Sequence, residues 1–237
     1  MTVAAAPVIA AALLSVAFVV LHAYFRSSDE TEQDDRIAEF GAKTPQERCV
    51  KIVVAFSGPL ILIVLGTIVG VLVWGLSLET VGLYGNPVRE FAIGLVVAPV
   101  IVVFAEALGT FLKYLGQESS GNSSEVLGVK TLSGLGWMLG AITVQASAEE
   151  VYFRAALVGA PAALFSVSAW AFVVPVAVLF GLLHFDGGIG KILYTSIMGI
   201  IFGSVFVVGG ILAAVVAHVL HNQWSVIDDY REESSTS

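Results

Sequence analysis

Long apolar runs alternate with short polar segments along the chain. A helix needs about 20 mostly apolar residues to cross the hydrocarbon core of a bilayer, and about seven runs come close to that length. The pattern therefore predicts an all-α, polytopic transmembrane helical bundle with about seven membrane spans. We place these spans near residues 3–25, 50–76, 89–114, 132–158, 167–185, 189–208 and 210–227.

The composition supports a membrane protein and excludes several other classes. Of the 237 residues, 57% are hydrophobic and only 13% are charged. The mean hydropathy is +0.90, and a soluble domain of this size could not bury so much apolar surface. The net charge of -8 argues against a nucleic-acid partner, which requires a basic face. The single cysteine, Cys49, excludes an internal disulfide and a cysteine-built metal cluster.

The distribution of lysine and arginine predicts the orientation. Basic residues are concentrated in the first loop, between 26 and 51, whereas the even-numbered loops contain only Arg89. Cytoplasmic loops carry the excess of Lys and Arg, so we expect the N-terminus outside and the C-terminus in the cytoplasm, in the plasma membrane. We divide the chain into N-terminal transmembrane helices with a charged cytoplasmic loop (1–78), a helical core (79–227) and an acidic C-terminal tail (228–237).

Polar residues interrupt three of the apolar spans. A charge at bilayer depth costs several kcal/mol unless it is paired or faces water, so such residues indicate a functional site. The rise of a helix places the polar residues of these three spans at similar depths in the membrane. Glu149 and His184, for example, are equally far along the chain from the turn near Ser166. The polar residues are Glu149, Glu150, Arg154, His184, His218 and Asn222.

The spacing within the fourth span predicts different tasks for its two glutamates. Glu150 and Arg154 are one helical turn apart and can form an ion pair. Glu149 projects about 100° away and is left to face the site. A carboxylate beside a histidine can take a proton from water, so we expect Glu149 and His184 to activate a water nucleophile.

The last span adds hydrogen-bond donors. His218 and Asn222 lie one turn apart on the same face and could stabilise the oxyanion of a tetrahedral intermediate. His221 is close to that face, and the spacing leaves open which histidine of the pair faces the site. Glu106, inside the third span, could line the same cavity or pair with Arg154, but we favour a hydrogen-bonded structural carboxyl.

These residues carry a family resemblance. The chain resembles the CPBP family, which contains CAAX proteases and bacteriocin-processing enzymes. The family signature combines a double glutamate with arginine four residues on, Phe-xxx-His and His-xxx-Asn. All three motifs occur here in order, and the resemblance covers roughly residues 79–225, with 78–83 similar to a short linker of the family. Ala155 stands where these proteins often have glycine.

The resemblance implies an intramembrane endopeptidase that acts on a membrane-anchored peptide or protein, as in the removal of the last three residues of prenylated CAAX proteins. It implies that 79–227 is the catalytic core and that Glu149 acts with His184 on water. By motif position, His218 and Asn222 form the oxyanion site, and Glu150 and Arg154 support the first motif.

A zinc-dependent version of this protease is the closest rival hypothesis. His184, His218 and Glu149 could bind zinc and leave one position open for water. No His-Glu-x-x-His helix is present, and no carboxylate is obviously tied to the histidines. We therefore expect no cofactor.

Two further hypotheses involve no enzyme. A non-catalytic membrane scaffold or immunity-type protein would not need hydrolysis. A proton-coupled transporter would be expected to contain inverted repeats and broken helices, and the sequence shows neither.

Overall fold

The computed structural model describes residues 79, 82, 84–117 and 131–236. Helices dominate this part of the chain and no strand occurs in it, which confirms the all-α prediction. The first two predicted spans, 3–25 and 50–76, lie outside the described residues. The helices are α1 (Pro87–Tyr114), α2 (Leu132–Glu150), a π-helix (Val151–Gly159), α3 (Ala160–Phe165), α4 (Trp170–Leu182), α5 (Gly188–Gly209) and α6 (Ile211–Thr236).

The described helices correspond to the last five predicted spans. Among the described residues, α1 and α5 are long and apolar enough to cross a membrane. The total of seven spans stays a prediction. Helix α6 does not end at 227 but continues to Thr236, through most of the segment that we assigned to the acidic tail.

Side-chain caps define where α1 and α2 begin. Asn86 accepts a hydrogen bond from the Arg89 backbone N–H, and Pro87 occupies the first turn, where its missing N–H is not needed. Thr131 caps α2 in the same way by accepting from the Gly134 N–H. These caps satisfy backbone donors that have no partner within the helix.

The segment after the double glutamate is a π-helix rather than a regular α-helix. Pro161 follows it, and a proline removes one backbone donor and crowds the carbonyl one turn earlier. The Ala160 N–H bonds instead to the Ala155 carbonyl, five residues back. Eight of the nine residues, from Tyr152 to Gly159, are buried, so this wide helix points Arg154 into the bundle. Such irregular turns are frequent at functional sites.

Helix α6 packs against α1, α2 and α5 and so lies at the centre of the described bundle. Its contact with α1 is close because Gly94 has no side chain. A Cβ built on Gly94 would lie 2.6 Å from Val216 Cβ and 2.8 Å from the Ala213 carbonyl oxygen. Small residues permit this kind of backbone approach in membrane bundles.

A buried carboxylate that sequence analysis missed fixes the start of α6. Glu90 is 3% exposed and accepts hydrogen bonds from the backbone N–H groups of Tyr84 (2.8 Å) and Leu212 (3.2 Å). Its negative charge suits the N-terminus of α6, where unpaired N–H groups carry partial positive charge. The Ile211 N–H also bonds to the Gly82 carbonyl at 2.9 Å. Burial and the nearby Glu90 carboxylate raise the pKa of Tyr84.

We expect Gly94→Ala to lower the thermal stability of the detergent-purified protein, because its new methyl group would overlap α6. Overpacking of this kind costs about 1–3 kcal/mol. Gly109→Ala is the matched control on the same helix, since a Cβ there meets nothing within 4 Å. The control should melt at the same or a higher temperature, because alanine favours helix by up to about 1 kcal/mol over glycine. Equal melting temperatures for Gly94→Ala and wild type would contradict the close contact.

Candidate active site

The polar residues meet where the end of α2 and the π-helix face α6. Glu149 is 8% exposed, Glu150 1% and His218 3%, so the cluster is almost completely buried. His218 lies between the two carboxylates: its Nδ1 is 2.8 Å from Glu150 Oε1, and its Nε2 is 3.8 Å from Glu149 Oε2. Asn222 Nδ2 is 3.1 Å from His218 Nε2. The structure therefore brings residues of two predicted motifs into one cluster.

Glu150 interacts with two groups, the guanidinium of Arg154 and the ring of His218. Its Oε2 lies 3.2 Å from Arg154 Nε, which is the predicted pair one turn apart. The two atoms form an ion pair but are not aligned for a hydrogen bond. The other oxygen accepts a hydrogen bond from His218 Nδ1–H. A histidine that donates from Nδ1 to a carboxylate is fixed in both orientation and tautomer.

The Arg154 guanidinium is enclosed by aromatic rings. It is 1% exposed, and its central carbon lies 5.5 Å from the ring centroid of Phe180 and 6.0 Å from that of Phe153. A cation over an aromatic face is stabilised by about 0.5–2 kcal/mol, depending on how far it is desolvated. The rings and Glu150 together hold a charge that would be costly to bury alone.

Two phenylalanines also hold the His218 ring. Phe202 stacks on it with centroids 4.3 Å apart and an interplanar angle of 21°. Phe180 presents an edge at 6.2 Å and 89°. Because the ring is held from two directions, its Nε2 points steadily toward Glu149 and Asn222.

His184 stands apart from this cluster. It lies just after α4 and is partly exposed, and its Nδ1–H donates to the Phe180 carbonyl at 2.9 Å. Its ring packs against the Phe180 ring with centroids 4.9 Å apart. No hydrogen bond or ion pair joins His184 to Glu149 in the described structure. With Nδ1 occupied as a donor, the neutral ring leaves Nε2 as an acceptor.

Gln145 is a site residue that sequence analysis missed. Its Nε2 donates to Glu149 Oε1 at 3.1 Å. The signal was available, because Gln145 precedes Glu149 by one helical turn and such pairs face each other. A second glutamine, Gln223, donates to Thr143 Oγ1 at 2.9 Å and ties α6 to α2 without touching Glu149.

The structure answers which histidine of the last span faces the cluster. His218 does, whereas His221 turns toward α5, where its Nε2 lies 3.4 Å from the Tyr194 hydroxyl. Glu106 is exposed and lines a cavity beside Tyr194 and His221. It is not part of the cluster around the double glutamate, and its side chain has no hydrogen bond in the described structure, unlike the structural carboxyl that we favoured.

The described residues do not fit the zinc hypothesis. Within 84–117 and 131–236, no group of three or more His, Cys, Asp or Glu side chains is arranged to hold a metal ion. His218 uses one nitrogen for Glu150 and the other for Asn222, and His184 Nδ1 is bonded to a backbone carbonyl. The expectation that no carboxylate is tied to a histidine was wrong, because Glu150 binds His218 across two helices. A metalloendopeptidase is not supported.

Comparison with known proteins gives one family. Residues 131–224 match the family model described as type II CAAX prenyl endopeptidase Rce1-like. No curated protein and no solved structure matches the chain. The matched segment begins at the cap of α2 and ends within α6, so it contains all three motifs and all six predicted site residues. The match covers less than half of the chain and supports a CPBP/CAAX protease family for this integral membrane protein.

Proposed function

We propose that the protein is an intramembrane endopeptidase that hydrolyses peptide bonds of membrane-associated substrates, prenylated CAAX-type proteins among them, with a water activated by glutamate and histidine. One observation carries the proposal. Glu150 has close partners at both oxygens, Arg154 Nε at 3.2 Å and His218 Nδ1 at 2.8 Å, whereas Glu149 Oε2 accepts no hydrogen bond in the described structure and has only His218 Nε2 at 3.8 Å. A buried carboxylate with an oxygen that accepts no hydrogen bond is suited to hold and deprotonate water.

In this mechanism Glu149 takes a proton from water as the water oxygen attacks the scissile carbonyl carbon. His184 accepts a second hydrogen bond from that water through Nε2 in the substrate complex. The carbonyl π electrons move to oxygen and form a tetrahedral oxyanion. When the C–N bond breaks, the protonated Glu149 returns its proton to the leaving amine.

His218 and Asn222 stabilise the oxyanion. Without substrate, Asn222 Nδ2 donates to His218 Nε2, so this nitrogen is an acceptor. A proton taken up from solvent water and released again with the products lets His218 Nε2 donate too, and the bond between His218 and Asn222 must then break. Asn222 can then turn its amide to an oxyanion that lies beside the fixed His218 Nε2–H, while the Glu150 carboxylate balances the positive ring. Losing one such donor typically lowers kcat about 10²–10³-fold.

The orientation rests on the charge bias alone. From the excess of Lys and Arg in the odd-numbered loops we propose that the N-terminus lies outside and the C-terminus in the cytoplasm, with the plasma membrane as the expected location. The site then opens toward the cytoplasm, where a CAAX-type carboxyl terminus would approach it. The bilayer and a membrane-anchored peptide or protein are the expected partners, and no cofactor is required.

Cleavage of a panel of labelled prenyl-CAAX peptides by the detergent-purified protein tests the function. We expect wild type to cleave and both Glu149→Gln and His184→Ala to lose at least about 100-fold in kcat/KM, because each removes a proton acceptor for water. Glu79→Gln is the matched control, since Glu79 is exposed and precedes α1. Full biological effect of Glu149→Gln in cells would instead indicate a non-catalytic scaffold.

Treatment with a chelator tests whether cleavage depends on a metal ion. We expect the cleavage rate to survive prolonged treatment with 1,10-phenanthroline followed by gel filtration, because every proposed proton transfer uses a side chain. Metal analysis of the same sample measures independently whether zinc is bound. A rate that disappears with the chelator and returns with zinc would contradict the metal-free mechanism.

Gln145→Met tests whether the amide orients the base. We expect kcat to fall about 10- to 100-fold with KM unchanged, because the loss of one hydrogen bond to a charged group is worth about 1.5–3 kcal/mol and Glu149 would turn away from the water. Gln223→Met is the matched control: it also removes a glutamine amide bonded to α2, but one that contacts Thr143 and the Leu139 carbonyl rather than Glu149. Equal changes in kcat for the two variants would show that Gln145 acts only through the stability of the bundle.

A further inference from the structure

A polar cavity lies between α1, α5 and α6. Its volume is about 240 Å³. Polar groups among membrane helices are expensive to keep, so a cavity with several of them indicates a function. The six polar side chains that line it are Glu106, Thr110, Lys113, Tyr194, His221 and Ser225.

This cavity is separate from the proposed catalytic cluster. Phe202 lies between them, stacked on His218 at 4.3 Å and tilted against His221 at 6.0 Å. The proposed mechanism uses none of the cavity's six residues. Its polar groups therefore need a role of their own.

The two charged residues of the cavity lie at different depths. Glu106 and Lys113 are seven positions apart on α1, which corresponds to about 10.5 Å along the helix axis. Lys113 is next to the last residue of the helix, whereas Glu106 lies two turns further in. No ion pair links either side chain to an opposite charge in the part of the chain that the structure describes. The cavity thus has a carboxylate at its inner end and an ammonium group at its rim.

The wall of the cavity has unused hydrogen-bonding capacity. His221 is only 7% exposed, and its Nδ1 has no hydrogen-bond partner among the described residues. Its Nε2 reaches the Tyr194 hydroxyl at 3.4 Å, which is long for a hydrogen bond. A buried polar atom without a partner requires a ligand or an ordered water.

The order of the charges restricts the class of ligand. A matching ligand carries a positive group at the inner end and a negative group at the rim, about 10 Å away. A zwitterionic phospholipid in its normal orientation has the reverse order, with its phosphate deeper than its amine. Three residues of extended peptide span about 10–11 Å between amino and carboxyl ends. A short peptide with free ends therefore fits both the separation and the polarity.

We propose that this cavity holds the short carboxyl-terminal peptide that the protease releases, with its new ammonium group on Glu106 and its carboxylate on Lys113. This inference rests on the proposed function. Hydrolysis at membrane depth creates the new amino end inside the bundle, while the original carboxyl end already faces water. The leaving peptide thus carries its charges in the order that complements the cavity, and its backbone amides can pair with His221 and Tyr194.

Equilibrium binding to the full-length, detergent-purified protein tests the inference by thermophoresis. The probes are the tripeptide Val-Ile-Met with free ends, its N-acetyl form and its C-terminal amide. We expect wild type to bind the free tripeptide about three- to fivefold more tightly than either blocked form, the range for partly exposed ion pairs. In Glu106→Gln acetylation should no longer weaken binding, and in Lys113→Met amidation should no longer do so.

Arg89→Met is the matched control, because it removes another exposed cation from α1 outside the cavity. It should discriminate among the three probes as wild type does. No binding by wild type, equal binding of all three probes, or unchanged discrimination in Glu106→Gln and Lys113→Met would each overturn the inference. Tighter binding of glycerophosphoethanolamine than of the tripeptide would also overturn it.

The binding assay needs no cleavage, so the two proposals can fail separately. A protein that cleaves CAAX peptides but shows no charge-selective tripeptide binding would refute the cavity inference alone. A protein that binds the tripeptide selectively but cleaves nothing would refute the proteolytic function and remove the role of the cavity as a product site.

Discussion

The arrangement of the site depends on a single buried carboxylate, that of Glu150. It contacts Arg154 on its own helix and His218 on α6, and so joins the two walls of the site. Removing one member of a buried charge network typically costs about 3–5 kcal/mol, because the remaining charge is left without compensation. With Glu150 committed to this task, the adjacent Glu149 is available for chemistry. Two neighbouring residues of the same type thus have different roles because their surroundings differ.

Aromatic side chains set the conditions under which these polar groups act. Phe153, Phe180 and Phe202 exclude water from Arg154 and His218, and electrostatic interactions are stronger where water is absent. Phe202 has a second effect, because it separates the surroundings of His218 and His221. One helix therefore serves two polar regions on different sides, although the two histidines are only three residues apart.

Local spacing predicted the parts of the site that lie within one helix. The Glu150–Arg154 pair and the Asn222–His218 contact both follow from a separation of four residues. The bond between Glu150 and His218 could not be predicted, because it depends on how α6 is rotated against α2, which many distant contacts determine. The same holds for His184, whose side chain turns to its own helix. Gln145 was predictable from spacing, since it too lies four residues from its partner.

The π-helix has a consequence for the history of this chain. A π-helical turn is equivalent to an α-helix that has gained a residue. Insertions usually accumulate in loops, but here the extra length lies inside a buried helix, directly after the double glutamate. Relatives with a regular helix at this position would then align with a one-residue gap between Val151 and Gly159. Such a gap would divide the relatives into two lineages, with and without the extra residue in the middle of this membrane helix.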